Sequence, residues 1–484
     1  MQHVRRILTD HLEKIIALLL GLTVLRLYWV VTTFDFINFD DPVYVTSNPV
    51  VLKGLTLEGV AWAFSTHTLG HWHPLTWISH MIDVSFFGQS AGAHHGMNVL
   101  LFSICAGLVF YLLRAYSFGI ELAFLGGLFF ALHPMRMESV AWVAERKDVL
   151  SFLFGLLAML SYLHKKPMVF TLVLFCLSLL AKPTFVTLPA LLVLHEIYVG
   201  GEKDLYRSFK KAAPYFLISM GSCVFAMYTQ HLGGALKSMP FMDRCGYAMV
   251  SLFMYTKKMV WPDPTIIFYP REMPSLSFVA LAVVLMAAVT VILFRLRIRQ
   301  PLAWFGWLFF SVTAFPLSGF IPIGGQLYAD RWTLLPHLGL LIVLLSFVVS
   351  IREHSSKLQV ILALAVCSMA LVTKDRLPHW KNSETVFREA LRVSPRNFMA
   401  HTNLGVTLAE QGRFTEAHSH YEKAIQLNPT YVEALNNMGT AHARQFQYPE
   451  AIAYFEKALS IDPSFLPAAD NLRLARALSS RAPL

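Results

Sequence analysis

Apolar stretches long enough to cross a membrane recur along the first 373 residues of this 484-residue chain. A bilayer core takes about 20 apolar residues of helix, so this pattern predicts a polytopic membrane protein. The composition agrees, because 14% of the residues are charged, against about 25% in soluble proteins. The predicted transmembrane helices, about eleven by hydropathy, lie near residues 15–33, 96–116, 121–134, 149–164, 168–181, 184–199, 212–230, 277–294, 303–320, 333–350 and 357–373.

The distribution of basic residues predicts the orientation, because cytoplasmic loops are enriched in Lys and Arg. With a cytoplasmic N-terminus, one side receives the basic residues Arg5, Arg6, Arg114, Lys165, Lys166, Lys203 to Lys211, Arg295, Arg297, Arg299, Arg352 and Lys357. The opposite loop, 34–95, holds only Lys53 as lysine or arginine. An exception is formed by Lys237, Arg244, Lys257, Lys258 and Arg271, which fall on the predicted outer side. We expect a multi-pass membrane protein with no nucleic-acid partner, because basic loops explain the net charge of +10.

The short spans 121–134 and 168–181 are also compatible with broken or re-entrant helices. The first span lacks the small-residue cleavage site of a signal peptide and is predicted to be retained. An odd number of spans places the C-terminal part of the chain outside the cytoplasm.

The C-terminal part carries a 34-residue repeat. Four positions recur at this interval, as Gly405/Gly439, Ala417/Ala451, Ala424/Ala458 and Pro429/Pro463. This period, with small residues where helices cross and a closing proline, is the tetratricopeptide pattern. We therefore predict a membrane domain at 1–376, with 34–95 as its first extracytoplasmic loop, and a helical repeat solenoid at 377–484. Solenoids of this kind hold peptides or proteins, although a cap or dimer contact is the alternative.

Polar groups collect on the predicted outer face. They are Asp40, Asp41, His67, His71, His73, His80, Asp83, His94, His95, Asn98, His133, Glu138, Glu145, Arg146, Lys147, Asp148, Lys182, Asp330 and Arg331. Charged groups at membrane depth cost about 2.5–3.5 kcal/mol each, so they are expected to pair and to line a cavity. One face that holds acids, histidines and cations together indicates a functional site.

Each of these elements also has a simpler interpretation. An acid pair at a helix exit is usually solvated or caps the next helix. The histidines can be interfacial residues, and the cations can be anchors at helix ends. The residues predict no cofactor; the pairs His71/His73 and His94/His95 permit a divalent metal ion, but no spacing enforces one. These simpler interpretations do not explain why one face is preferred.

A polyprenyl-phosphate sugar matches the chemistry of this face. Its leaving group is a phosphate, which needs cations to hold the developing charge. Its acceptor is a hydroxyl, which needs a carboxylate to take the proton. The lipid tail needs an apolar groove between helices, and the chain carries no nucleotide-binding motif such as G-x-G-x-x-G or a Walker loop.

Several motifs carry a resemblance to a known family. They are "HWHPLTWISHMID" (71–83), "HHGMNVLL" (94–101), "LHPMRMESVAWVAERKDVLS" (132–151), "AKPTFVTLP" (181–189), "WPDPTIIFYP" (261–270) and "QLYADRWTLLP" (326–336). With the repeats, they resemble bacterial membrane glycosyltransferases related to the transmembrane and tetratricopeptide-repeat O-mannosyltransferases and, more distantly, to the protein O-mannosyltransferases. The resemblance implies a GT-C fold and inverting transfer from a polyprenyl-phosphate sugar to Ser/Thr hydroxyls of extracytoplasmic proteins, which the repeats recruit.

The resemblance also implies residue roles. Asp40 is expected to be the general base and Asp41 to position the acceptor or the loop, with Pro42 keeping Asp41 away from helical angles. Arg331 is the expected ligand of the lipid phosphate. The further phosphate candidates are Lys182, Arg146 and Lys147, and the expected pocket residues are His73, His94, His95, His133, Glu138 and Asp330. Phe102 stands where many relatives have histidine, and the animal relatives tend to have arginine at the position of His73.

Two alternatives stay open. The membrane domain can be a catalytically inactive transferase that anchors a repeat scaffold. The enzyme can also act on a lipid or glycan acceptor, although a repeat solenoid suits a peptide better.

Overall fold

The structure is a computed structural model that describes residues 2–232, 239–321, 324–351 and 355–480. Lys237 and Arg352, two of the basic residues considered for orientation, lie outside these ranges. The described residues form helices and no β-strand, which confirms the all-α class. The chain divides into two compact units.

The first unit comprises Met1–Phe36, Asp40–Thr265 and Arg271–Trp380. Its α-helices are α1 (Gln2–Tyr28), α2 (Leu57–Ser65), α3 (Pro74–Phe87), α4 (Ala91–Ala115), α5 (Ile120–Ala131), α6 (Met137–Ala141), α7 (Arg146–Leu163), α8 (Met168–Ala181), α9 (Leu188–Tyr198), α10 (Leu205–Leu232), α11 (Phe241–Val260), α12 (Leu276–Leu296), α13 (Pro301–Ala314), α14 (Pro336–Ser350) and α15 (Ser355–Arg376).

Several of these helices can cross a membrane, as their length and apolar composition show. Among the described residues the long apolar spans are Leu8–Thr33, Ala91–Ala115, Leu205–Leu232, Leu276–Leu296 and Ser356–Trp380. Shorter apolar helices occupy Met168–Ala181, Pro183–Tyr198, Pro301–Leu317 and Pro336–Ser350. The multi-pass character is therefore clear, whereas the predicted count of eleven spans is not confirmed.

Helix α5 does not continue as a straight span. Ile120–Ala131 and Pro134–Ala141 are both apolar, but they meet at a bend of 58°. Pro134 follows His133 directly, and a proline cannot continue the hydrogen-bond ladder of the preceding helix. The bend agrees with the expectation of a broken or re-entrant helix here, and it buries the polar segment 133–148 inside the first unit.

Glycines bring α13 and α14 into close contact. A Cβ atom added to Gly306 would lie 2.7 Å from the carbonyl oxygen of Gly339, and one added to Gly339 would lie 2.5 Å from the oxygen of Gly306. Small residues let membrane helices approach at the backbone, where dispersion contacts replace the hydrophobic effect. Helix α11 was not among the predicted elements, because its lysines and Asp243 interrupt the apolar pattern.

The second unit is the repeat unit, made of Lys381–Leu484 with Ile37–Phe39 and Ile266–Pro270. Its α-helices are α16 (Ser383–Val393), α17 (Phe398–Glu410), α18 (Phe414–Leu427), α19 (Val432–Arg444), α20 (Tyr448–Ile461) and α21 (Leu466–Ser479). The Asn397 side chain donates to the carbonyl oxygen of Phe268 at 2.9 Å. The Asn38 N–H donates to Ser383 Oγ at 2.8 Å. The predicted range 377–484 did not include the two short segments.

The repeated glycines mark where paired helices cross. A Cβ on Gly405 would lie 2.6 Å from the Tyr421 ring, and one on Gly439 would lie 2.7 Å from the Phe455 ring. Only glycine leaves room for these aromatic rings. The 34-residue repeat in the sequence therefore corresponds to a repeated helix–helix contact in the structure.

Candidate functional site

The two adjacent acids after the first helix have different surroundings. Asp41 is fully buried, and its Oδ1 accepts the N–H of Ala144 at 2.8 Å. Asp40 Oδ2 lies 3.2 Å from Lys147 Nζ, and a quarter of the Asp40 side chain is exposed. Asp41 therefore fixes the backbone of the following outer loop, whereas Asp40 presents a carboxylate that a solute can reach.

The predicted extended conformation of Asp41 is wrong. Asp41 has helical angles, φ −57° and ψ −35°, and Pro42 opens a short helix, Pro42–Thr46. The N–H groups of Val43 and Tyr44 both donate to the Asp40 carbonyl oxygen at 3.0 Å. Proline is favoured at the first helical position. These bonds, with the buried bond to Ala144, outweigh the preference of a residue before proline for extended angles.

Glu145 lies at the centre of three cations. Its Oε1 is 3.1 Å from Lys147 Nζ and 3.2 Å from Arg331 Nε, and its Oε2 is 3.4 Å from Lys182 Nζ. Burial alone would raise the pKa of Glu145, but the three cations hold its pKa well below the usual range. Glu145 is therefore ionised at neutral pH and fixes the positions of all three cations.

A second set of acids completes this cluster. Lys182 Nζ lies 2.6 Å from Asp148 Oδ1. Glu138 accepts the backbone N–H of Arg331 at 2.8 Å and forms an ion pair with the Arg331 guanidinium. The side chains of Lys182 and Arg331 keep 16% and 11% of their surface exposed. Acids thus fix the positions of Lys182 and Arg331, while part of each cation stays accessible to solvent.

Aromatic rings support the same cations. Tyr44 stacks on Trp77 with ring centroids 4.4 Å apart, and Lys147 Nζ lies 4.6 Å from the centre of the Tyr44 ring. The Arg331 guanidinium carbon lies 5.4 Å from the centre of the Trp142 ring. Cation–π contacts of this kind contribute about 0.5–2 kcal/mol each. They hold the charged groups in one geometry before a substrate binds.

A small cavity lies beside the histidines of the first outer loop. Its volume is about 40 Å³, and its lining residues are Gly70, His71, Trp72, His73, Leu179, Pro183, Ser222, Phe225, Ala226, Thr229 and Gln230. His71 and His73 stack with ring centroids 5.1 Å apart, and His71 Nδ1 is 2.7 Å from Gln230 Nε2. Burial, followed by the charge of Lys147, lowers the pKa of His71 to about 4. The His71 side chain in the cavity wall is therefore neutral at physiological pH.

Arg146 has a different environment from its neighbour Lys147. Its guanidinium donates to Asp83 and Ser79 at 2.8 Å each, to the His94 carbonyl oxygen at 2.9 Å, and to Asn98. The side chain is fully buried. These contacts fill its donor positions with protein groups and hold α3 and α4 against the start of α7.

The remaining predicted residues lie at separate places. Among the histidines, His73 Nδ1 is 3.2 Å from the Tyr44 hydroxyl, and three others contact backbone carbonyl oxygens at 3.2–3.3 Å, namely His94 (Gly88), His95 (Asp35) and His133 (Met259). His94 lies near His80 and Asp83 as a potential metal-binding group. Only His73 of these histidines therefore adjoins the aromatic support of Lys147.

Asp330 forms a buried ion pair that the sequence did not predict. Its Oδ1 lies 2.6 Å from Lys258 Nζ, and both side chains are almost completely buried. Lys257 pairs with Asp263 at 2.6 Å. Lys257 and Lys258 are two of the basic residues that did not fit the predicted orientation. Each forms an ion pair with an acid, so neither needs a cytoplasmic location to explain its charge.

Glu145 and Asp148 are predicted by sequence to lie on the outer face that holds the site, but the sequence assigns them no role in it. Both belong to the run "ERKD" at 145–148. The sequence does contain an indication of their role. In this run two cations stand between two acids inside an apolar region, where charged residues are expected to be functional.

Comparison with family models places tetratricopeptide repeats in the second unit. A model described as "Tetratricopeptide repeat" matches residues 432–465, and one described as "TPR repeat" matches residues 407–445. Both matches fall within the predicted solenoid, which confirms the repeats.

Comparison with curated proteins extends the similarity into the first unit. The protein O-mannosyl-transferase TMTC1 of Homo sapiens is 24% identical over 467 residues, which cover 80% of this chain and 52% of the relative. The protein O-mannosyl-transferase F38B6.6 of Caenorhabditis elegans is 22% identical and covers 80% of this chain and 59% of the relative. The chain is homologous to the TMTC protein O-mannosyl-transferases. A third relative, the protein O-mannosyl-transferase TMTC4 of Homo sapiens, is 25% identical over 416 residues and covers 73% of this chain.

The homology to TMTC proteins confirms the resemblance that the motifs indicated. It is also consistent with the GT-C relation. The chain spans about half the length of the curated relatives it matches, with 52% of the human TMTC1 protein and 55% of the human TMTC4 protein covered.

Proposed function

We propose that this chain is a membrane glycosyltransferase that moves a sugar from a polyprenyl-phosphate donor to Ser/Thr hydroxyls of extracytoplasmic proteins. The acceptor oxygen attacks the anomeric carbon and the bond from that carbon to the phosphate oxygen breaks. The electron pair leaves with the polyprenyl phosphate, and the acceptor proton passes to a carboxylate. Attack from the face opposite the phosphate inverts the anomeric configuration.

One observation carries this proposal: an accessible carboxylate, Asp40, is held 3.2 Å from Lys147 in a cluster with Lys182 and Arg331. The carboxylate suits proton removal from a hydroxyl, and the cations suit a departing phosphate. Homology to proteins named O-mannosyl-transferases supports the same reaction class.

We assign Asp40 as the general base and Asp41 as a positioning residue. Asp41 is buried and bonds the Ala144 N–H, one residue from Glu145, so its removal would shift the cation cluster rather than remove the base. The exposed quarter of Asp40 is where an acceptor hydroxyl would approach.

We assign the donor phosphate to Arg331, Lys182 and Lys147, since they share Glu145 as an ion partner. Arg146 is proposed as a positioning residue, because its guanidinium is buried and bonded to protein groups. The cavity beside His71 and His73 is proposed to receive one sugar hydroxyl, which the side chains of His71 and Gln230 can bind.

The repeat unit is proposed to recruit the acceptor protein, and the membrane is proposed to be a bacterial inner membrane with the N-terminus in the cytoplasm. Tetratricopeptide solenoids present extended surfaces for peptides or proteins. The predicted odd number of spans would place these repeats on the same side as Asp40.

Glycoproteomic mass spectrometry tests the proposed function. Cells that lack this chain are compared with the same cells expressing it, and secreted and outer-face proteins are digested. We expect hexose-type masses on Ser/Thr peptides only in the expressing cells. If these glycopeptides do not depend on the chain, a protein acceptor is excluded and the lipid or glycan acceptor must be tested.

Replacing Arg331 with alanine is expected to impair donor use. With purified protein and a polyprenyl-phosphate sugar, we expect kcat/KM for the donor to fall about 100-fold, because one preorganised cation is lost from the leaving group. The acceptor KM should stay unchanged.

Arg331→Lys is the matched variant, because it keeps the charge between Glu138 and Glu145 and should recover part of the donor kinetics. A thermal unfolding curve for each variant separates lost donor binding from lost structure. Equal impairment of donor and acceptor kinetics in folded Arg331→Ala would contradict the phosphate role.

A further inference from the structure

A buried cluster of three potential metal ligands consists of side chains to which the proposed transfer assigns no role. It consists of His80 and Asp83 on α3 and His94 on α4, and their ligand atoms lie within 4.8 Å of one another. His80 and His94 are fully buried and Asp83 is 1% exposed. Two histidines and a carboxylate on adjacent helices form a set that a divalent metal ion can use.

The ring of His94 is oriented as in a metal ligand. Its Nε2 lies 3.3 Å from the carbonyl oxygen of Gly88. A carbonyl only accepts, so Nε2 carries the proton in the neutral ring and Nδ1 holds a lone pair. Metal-bound histidines usually donate their second ring N–H to such an acceptor, which fixes the tautomer.

That lone pair faces another acceptor. His94 Nδ1 lies 3.4 Å from Asp83 Oδ2, and Nδ1 has no hydrogen-bond partner among the described residues. A bare nitrogen opposite a carboxylate oxygen in a buried place is unfavourable unless a proton or a metal ion lies between them. The arrangement therefore favours a bound cation over an empty contact.

His80 supplies an independent indication. Both of its ring nitrogens lack a hydrogen-bond partner among the described residues, although the side chain is completely buried. A buried polar group without a partner costs about 1–3 kcal/mol. A metal ion would satisfy one of these nitrogens directly, and no other feature of the described structure does so.

The geometry points to a structural Zn²⁺ site formed by His80, Asp83 and His94. Two imidazole nitrogens and one carboxylate oxygen suit Zn²⁺, whereas Mg²⁺ and Ca²⁺ prefer oxygen ligands. The carboxylate is shared with Arg146, whose Nη2 lies 2.8 Å from Asp83 Oδ2.

The site would connect the first outer loop to the cation cluster. The ion would join α3 to α4. Asp83 also accepts a hydrogen bond from Arg146 at the start of α7, next to Lys147, so a fixed Asp83 would hold Arg146 in place. Complete burial of the histidines leaves the metal no access to substrate, so its role is to fix structure.

Metal content of the purified full-length chain tests this site. The protein is expressed with added Zn²⁺, carries an affinity tag without histidine, and is purified without chelators. We expect about one zinc per chain by inductively coupled plasma mass spectrometry, and almost none in His80→Gln or His94→Gln. Growth in Co²⁺ should give the visible absorption bands of a Co²⁺–imidazole site.

Two variants serve as matched controls. His95→Gln removes the neighbouring histidine, whose Nε2 contacts the Asp35 carbonyl oxygen. His401→Gln breaks the pair in the repeat unit, where His401 Nδ1 lies 2.9 Å from His420 Nδ1. Both should keep the zinc bound by the wild-type chain.

Two results would overturn the assignment. One is a wild-type chain that holds no stoichiometric zinc or cobalt, which needs no variant to interpret. The other is zinc that persists in both His80→Gln and His94→Gln, since the ion would then bind elsewhere. If one of these variants fails to fold, zinc retained by the other, folded variant overturns the assignment.

Discussion

Replacing Asp40 with asparagine is expected to reduce sugar transfer about 10²–10⁴-fold, the usual contribution of a general base. Asparagine has nearly the same shape, but it cannot take the acceptor proton at neutral pH. Lys147 loses the partner at 3.2 Å and keeps Glu145 at 3.1 Å. The protein should therefore stay folded while its rate of sugar transfer falls.

The measurement is kcat for transfer to a Ser/Thr peptide, with donor and acceptor both saturating. Glu58→Gln is the matched control, because it removes an exposed acid from the same outer loop. Its kcat should equal that of the wild type. Asp41→Asn provides a contrast, since its Oδ1 can still accept the Ala144 N–H and the base remains in place.

The outcome separates an enzyme from a scaffold. A scaffold with an inactive membrane unit would show no sugar transfer in the wild type and no change in partner binding on Asp40→Asn. Wild-type kcat in a folded Asp40→Asn protein would contradict the assigned base. Loss of kcat in Asp41→Asn but not in Asp40→Asn would identify Asp41 as the general base.

Replacing Glu145 with glutamine is expected to have the largest effect on stability. The carboxylate contacts Lys147, Lys182 and Arg331 and is 1% exposed. Its removal leaves partly buried cations without their shared partner, and breaking such a pair costs about 3–5 kcal/mol. We expect a lower unfolding temperature in detergent and a large loss of donor binding.

The pH dependence gives this prediction a second measurement. The pKa of Glu145 in the folded state is held well below the usual range. An unfolded glutamate has a pKa of about 4.3. A depressed folded pKa gives stability that is full above the unfolded value and is lost as the pH falls toward the folded value.

The difference in unfolding temperature between wild type and Glu145→Gln should thus stay constant from neutral to mildly acidic pH and shrink below about pH 4. Glu58→Gln, which removes an exposed acid, should match the wild type. An unfolding temperature of Glu145→Gln equal to that of the wild type would show that the cations do not depend on Glu145.

The donor prediction for Arg331 and the stability prediction for Glu145 are linked. Both residues belong to one ion network, in which Arg331 also pairs with Glu138. Double replacement should therefore be less damaging to stability than the sum of the single changes, because residues in one network do not act additively.

The pattern of residues along the chain was enough to predict the class of protein and the repeats. Hydropathy identified the membrane helices, because a bilayer requires local stretches of apolar residues regardless of their partners. The 34-residue period located the solenoid, because each repeat buries its small residues, such as Gly405 and Gly439, against its own neighbours. The acid pair and its candidate cations were also visible as polar residues in an apolar chain.

The partners of each charged residue could not be predicted in this way, because they depend on contacts in three dimensions. Asp40 and Asp41 are adjacent, yet one is accessible and the other is buried against Ala144, which lies 103 positions away. Arg146 and Lys147 are adjacent as well, yet they lie in separate ion networks. Coulomb interactions and burial depend on distance in space, and the partners of these residues come from segments far apart along the chain.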